Sequence, residues 1–147
     1  MFKNILVAID LADDTQNDNL LRATAEISNA GNSDVYLLHI VPTAPPDLSQ
    51  FLPKSYEQKT FDKIQKELLA MAENHDLKNI KDASVRFGDA YHEILAHANK
   101  IAANLIIVAS HRPHLSDYLL GTTAARIVRH ASCSTLVIRQ PEGSNVG

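Results

Sequence analysis

Ile5-Leu-Val-Ala-Ile9 is a run of five apolar residues, three of them β-branched, with no polar side chain among them. Successive side chains on a strand point to opposite faces, so a strand of this composition must be covered on both sides. That situation belongs to a parallel sheet layered between helices. Leu105-Ile-Ile-Val-Ala109 repeats the pattern one hundred residues later. A chain with two such strands is constrained to an α/β architecture.

The intervening sequence alternates between the two periods. After Asp10 a polar stretch leads into a helical pattern carrying Leu20, Ala23, Ile27 and Ala30, with Gly31 placed where a helix end favours positive φ. Val35 to Val41 reads as the second strand. Pro42 to Pro53 contains four prolines, which rules out a regular helix or central strand there. Helical periodicity returns with Phe61, Ile64, Leu68 and Met71, followed by a short strand from Ala83 to Phe87 that ends at Gly88. A helix with Ile94, Leu95, Ala98, Ile101 and Ala102 precedes the strand at 105–109. Gly121 opens the last helix, with Ala124, Ala125, Val128 and Ala131, and Thr135-Leu-Val-Ile138 is the fifth strand. Strand–helix alternation with right-handed crossovers predicts one doubly wound domain over residues 1–147, a five-stranded parallel sheet in the order 3-2-1-4-5. Ligands of such sheets bind beyond the carboxyl ends of the strands, where the order reverses. Asp10 and Ala109-Ser-His-Arg112 are expected to face each other across that point.

Composition removes several functions. The 14 basic and 17 acidic side chains give a net charge of −3, which offers no reason to expect nucleic acid as the partner. The apolar runs fall far short of the ~20 residues that span a bilayer, so no membrane insertion is expected. Met1-Phe-Lys-Asn leads into the first strand too soon for a secretion signal. Cys133 is the only cysteine, so no internal disulfide can form, and a cytoplasmic setting is expected.

Several residues carry chemistry. Gly121-Thr-Thr at a helix start offers unbonded backbone N–H groups, the positive end of the helix dipole and two hydroxyls, a combination suited to polyphosphate. The bland alternative is a turn and an N-cap. Arg112 presents a planar cation able to grip phosphate oxygens in two places, or is a solvated loop charge. Asp10 stands at a strand end, where it accepts from ribose hydroxyls, helps to hold Mg²⁺, or caps the following turn. Ile40 and Val41 offer apolar contact and backbone groups to an adenine. His111, His114 and His130 with Asp117 form only a weak metal-ligand pattern, and no metal centre is read from it. His39 reads as a satisfied core or edge histidine. Ser110 beside His111 lacks an orienting acid.

The segment from Val108 to Ile138 resembles the C-terminal signature of the universal stress protein family, whose ATP-binding members carry G-x2-G-x9-G-[ST] after the fourth strand. Leu119-Leu-Gly-Thr and Val128-Arg-His-Ala131 are its most specific parts, Ala8-Ile-Asp10 matches the end of the family's first strand, and Gly88 matches the end of its third. Here Ala109 and Arg112 occupy the positions of the first two glycines and the spacer to Gly121 is one residue shorter, a Ser-His-Arg-Pro variant. The resemblance implies bound ATP or ADP, with Ala8, Asp10, Ile40, Val41, Gly88, Val108, Ala109, His111, Arg112, Gly121, Thr122, Thr123 and Ala124 around it. It also implies a regulatory rather than a dedicated enzymatic role, and a homodimer formed through the last strand, Thr135 to Ile138. Two other functions stay open: a nucleotide-free interaction module, favoured by Ala109 and Arg112, and a slow ATP hydrolase or self-phosphorylating protein using Ser110, Thr122 or Thr123. No Walker-type lysine follows the glycine, which counts against the last.

Overall fold

The computed structural model describes residues 1–12, 14–110 and 120–139. Five strands alternate with helices: β1 (Asn4–Ala8), α1 (Asp14–Gly31), β2 (Asp34–Val41), a one-turn α2 (Pro46–Ser49), α3 (Tyr56–Asn74), β3 (Ile80–Phe87), α4 (Ala90–Lys100), β4 (Leu105–Ala109), α5 (Thr122–His130) and β5 (Ser134–Ile138). Every pairing is parallel, and the sheet order is β3-β2-β1-β4-β5. The order expected from the sequence is therefore the one observed. No helix among the described residues is long and apolar enough to cross a membrane.

The two-residue period of the strands divides the core into two layers. Ile5, Val7, Leu37, Leu105 and Ile107 face one side, where Leu20 and Leu21 of α1 and Leu68 of α3 cover them. Leu6, Leu38, Ile106 and Val108 face the other, against Ile94 and Ala98 of α4 and Ala124 and Ile127 of α5. This explains why β4, and β1 beyond Asn4, contain no polar side chain. Burying a large aliphatic side chain stabilises by roughly 1.5–3 kcal/mol, so these two layers supply most of the driving force for folding.

At the amino edge, Asn4 and Asn104 lock β1 beside β4. The Asn4 N–H donates to Asn104 Oδ1 at 2.8 Å, and the Asn104 N–H donates to the Asn4 carbonyl at 2.8 Å. Asn4 Nδ2 also donates to the Ile101 carbonyl at 3.0 Å, closing the end of α4.

Three details differ from the sequence expectation. The left-handed residue after α1 is Asn32, at φ 53°, while Gly31 is still helical. Asparagine tolerates that conformation, and Asn32 Oδ1 accepts from Asn79 Nδ2 at 2.9 Å. Strand β3 begins at Ile80 rather than Ala83, because Lys81 and Asp82 are exposed on the outermost strand and break the apolar run. The proline-rich segment contains the short helix α2, which starts at Pro46, where a missing N–H costs nothing.

His97 on α4 is 2% exposed. Arg86 Nη1 donates to its Nδ1 at 3.4 Å, which requires the neutral ring with the proton on Nε2, and that nitrogen has no acceptor among the described residues. Burial, then the positive charges of Arg86 and Lys100, hold the imidazole below its ordinary value, with Asp82 opposing. The unfolded chain takes up this proton below about pH 6.5 and the folded chain resists it, so stability is full above that pH and is lost as pH falls. Urea midpoints measured from pH 8 to pH 5 should fall less steeply in His97→Gln than in the unmodified chain; parallel curves would refute the assignment.

Candidate functional site

The sheet order dictates where a site can form. Chain connections leave β1 in one direction towards β2 and return in the other towards β4, so the loops after β1 and β4 diverge. Between them, beyond the carboxyl ends of the strands, lies a cleft of about 650 Å³. Its floor is made of strand ends, Ala8 to Asp10 from β1, Leu38 to Ile40 from β2 and Val108 to Ser110 from β4. Gly121 to Ala124 close one side, Gly88, Ala90 and Ile94 another, and Gln16 and Asn17 of α1 a third.

Asp10 is exposed, and its Oδ1 accepts the Ala12 N–H at 3.0 Å, so the carboxylate does shape the following turn. Its carbonyl accepts from Asn17 Nδ2 at 2.8 Å. Asn17 is 3% exposed and lies on the buried stripe of α1 with Leu20, Leu21 and Thr24. A polar residue on an otherwise core-facing stripe is the signal that could have marked Asn17 from the sequence.

Among the described residues, the start of α5 is held by backbone bonds. The Gly121 N–H donates to the Ser110 carbonyl at 2.6 Å, and the Ser110 N–H donates to the Ile138 carbonyl at 2.9 Å. No side chain among the described residues caps the helix; its first internal bond runs from the Ala125 N–H to the Gly121 carbonyl. The N–H groups of Thr122, Thr123 and Ala124 have no acceptor among the described residues, so the positive end of α5 faces the cleft.

The two glycines of the cleft differ in kind. Gly88 has φ 144°, a conformation closed to other residues, and a Cβ there would stand 3.1 Å from Glu93 Cγ. Glu93 is itself tied to Arg86 at 2.9 Å. Gly121 has φ −60° and ψ 155°, open to any residue, so its backbone conformation does not demand glycine.

Of the residues singled out from the sequence, Ala8, Asp10, Ile40, Gly88, Val108, Ala109, Gly121, Thr122, Thr123 and Ala124 are gathered around this one cleft. Val41 is outside the lining; its carbonyl accepts the Gly88 N–H at 2.9 Å. His111, Arg112, His114 and Asp117 lie outside the described residues. His130 ends α5, opposite the end that meets the cleft, edge-on to Tyr91 at 5.7 Å between ring centres. No group of three or more acidic, histidine or cysteine side chains suited to a metal occurs among the described residues. His39, read as a satisfied histidine, pairs its Nδ1 with the Ile9 carbonyl at 2.8 Å and also lines the cleft. Sequence reasoning passed over Gln16, Asn17, Ala90 and Ile94 because they sit inside helices, away from strand ends and glycines.

Residues 1–139 match the model of the universal stress protein family. The chain belongs to that family. Universal stress protein G of Escherichia coli O157:H7 is 28% identical over 144 residues, covering 95% of this chain and all of that one. A solved universal stress protein in complex with cAMP superposes with a TM-score of 0.72 at 16% identity, over 93% of this chain and 97% of the other. The universal stress protein from Archaeoglobus fulgidus in complex with dAMP gives 0.62 at 15% identity, over 92% and 96%. At these identities the two structures establish the shared fold.

Gly88→Ala should destabilise the chain by about 1–3 kcal/mol, the cost of holding alanine in that conformation. Equilibrium urea unfolding checks this, and an unchanged midpoint would show that the turn relaxes freely.

Proposed function

We propose that this chain binds an adenine nucleotide, ATP or ADP, across the carboxyl edge of the sheet, and that the nucleotide acts as a regulatory ligand in a stress response. The observation that carries the reading is the start of α5, whose first three N–H groups have no acceptor among the described residues and whose residues line the same cleft as Asp10 and the β4 end. A helix start of this kind is an anion site, and its glycine leaves room for close approach of a phosphate. A cleft of about 650 Å³ is within the usual range for small-molecule sites. Two universal stress proteins of the same fold are in complex with cAMP and dAMP, which favours an adenine nucleotide over other anions.

In this reading the phosphates lie on Thr122, Thr123 and Ala124 and the base rests toward Ile40, Gly88 and Ile94. Among the described residues Asp10 is the one acidic side chain lining the cleft, enough to hold Mg²⁺ only together with phosphate oxygens and water. Arg112 supplies positive charge where relatives carry glycine. The second reading, a nucleotide-free interaction module, draws on Ala109 and on Arg112 in those glycine positions. Slow hydrolysis or self-phosphorylation remains the third, with Ser110, Thr122 and Thr123 as the hydroxyls that line the cleft.

The protein also acts as a homodimer. β5 pairs with β4 on one side, its other side has no partner strand among the described residues, and Thr135 to Ile138 are all half-buried. An apolar edge lacking proline and lysine is a template for pairing, and a second copy of β5 is its natural cover.

Gly121→Val should abolish ATP binding in calorimetry while leaving the thermal midpoint unchanged, because valine tolerates that backbone. Undiminished affinity would refute the site, and mass analysis of nucleotide released from the unmodified protein separates the first two readings. Sedimentation equilibrium should return a dimer; a monomer at tens of micromolar would refute the β5 interface.

A further inference from the structure

Residues 42–59 form an arm with no buried residue; Ala44 is half-buried and every other position is exposed. Yet the arm carries Leu48, Phe51, Leu52 and Tyr56 at 55%, 77%, 37% and 37% exposure. Among the described residues the arm's hydrogen bonds close within its own neighbourhood: the Leu48 and Ser49 N–H groups donate to the Pro45 carbonyl at 2.9 Å, and Phe51 N–H to the Leu48 carbonyl at 3.0 Å. The sheet is complete without it. A segment that holds four large apolar side chains in water while adding nothing to the core has another surface to cover.

The root of the arm identifies that surface. Val41 is pinned to Gly88 and Pro42 is part of the cleft wall, so the arm springs from the rim on the side where Ile40, Gly88 and Ile94 present apolar surface. A flat base resting there has one face on the protein and the other open. The arm's charges, Asp47 and Glu57 against Lys54 and Lys59, cancel, which suits an uncharged aromatic ring and does not suit phosphate. Pro42, Pro45, Pro46 and Pro53 restrict its φ angles, so it moves as a stiff unit about its ends.

We propose that the arm 42–59 folds over the base of the nucleotide, with Leu48 and Phe51 covering the face that the cleft leaves open. The proposal rests on the nucleotide reading of the cleft. Hydrogen-exchange mass spectrometry on the full chain, with and without ATP and at two protein concentrations, tests it together with the double variant Leu48→Ser, Phe51→Ser. ATP should slow exchange at 48–52, and not in Gly121→Val. The double variant should weaken ATP and adenosine alike by about tenfold, the size of a lost stacking contact, leave tripolyphosphate binding unchanged and melt normally. ATP binding without slowed exchange, or with full affinity in the double variant, overturns the arm and spares the site. Protection that follows protein concentration instead of ATP shows that a second copy covers the arm and also overturns it. No ATP binding at all overturns both readings.

Discussion

Pairing of β1 with β4 is the interaction on which the remaining structure depends. Ile5, Leu6 and Val7 register against Leu105, Ile106 and Ile107, two segments a hundred residues apart. Until that contact forms, β1, β2 and β3 have no partner on the far side of β1, and the two core layers are each half made. Closing so long a loop is an entropic cost that only the combined burial of both layers offsets. The reciprocal bonds of Asn4 and Asn104 fix the register at the amino edge. At the opposite edge the same pairing makes the chain diverge, which opens the cleft. Core and site are two ends of one constraint.

Parallel pairing also explains the chemistry available there. Each helix runs back antiparallel to the strands, so α1, α4 and α5 all begin at the carboxyl edge. The α4 start is already satisfied, since Asp89 accepts the His92 N–H at 3.2 Å. The α5 start has no side-chain cap among the described residues. Capping, more than position, is what distinguishes these two helix starts.

Much of this was legible in the sequence because the strands are buried on both faces and leave unbroken apolar runs. The edge strand β3 was read three residues short because solvent reaches Lys81 and Asp82. Turn signals were reliable only by type: Gly31 pointed to the end of α1, while the left-handed position fell one residue later, on Asn32. Within the cleft, strand ends and the α5 start were readable because they coincide with changes of period. Ile94 was not, since it looks like an ordinary apolar member of its helix, and Asn17 carries only the weaker signal of a polar residue on a core-facing stripe. Gly88 and Gly121 are indistinguishable as letters. Only backbone angles reveal that Gly88 is required by its turn while Gly121 adopts a conformation open to any residue.

The short backbone circuit linking Ser110, Gly121 and Ile138 has a consequence for how this fold diversifies. Gly121 is tied to Ser110 and Ser110 to the end of β5, so the chain between 110 and 121 enters and leaves at two fixed points. Once the ends of a loop are anchored, lengthening or shortening it changes the closure cost only logarithmically. The scaffold thus sets where that span begins and where it finishes, and its length is the variable that loop-closure entropy constrains least. A stretch of this chain can therefore change in length at little cost while both of its anchors stay in place.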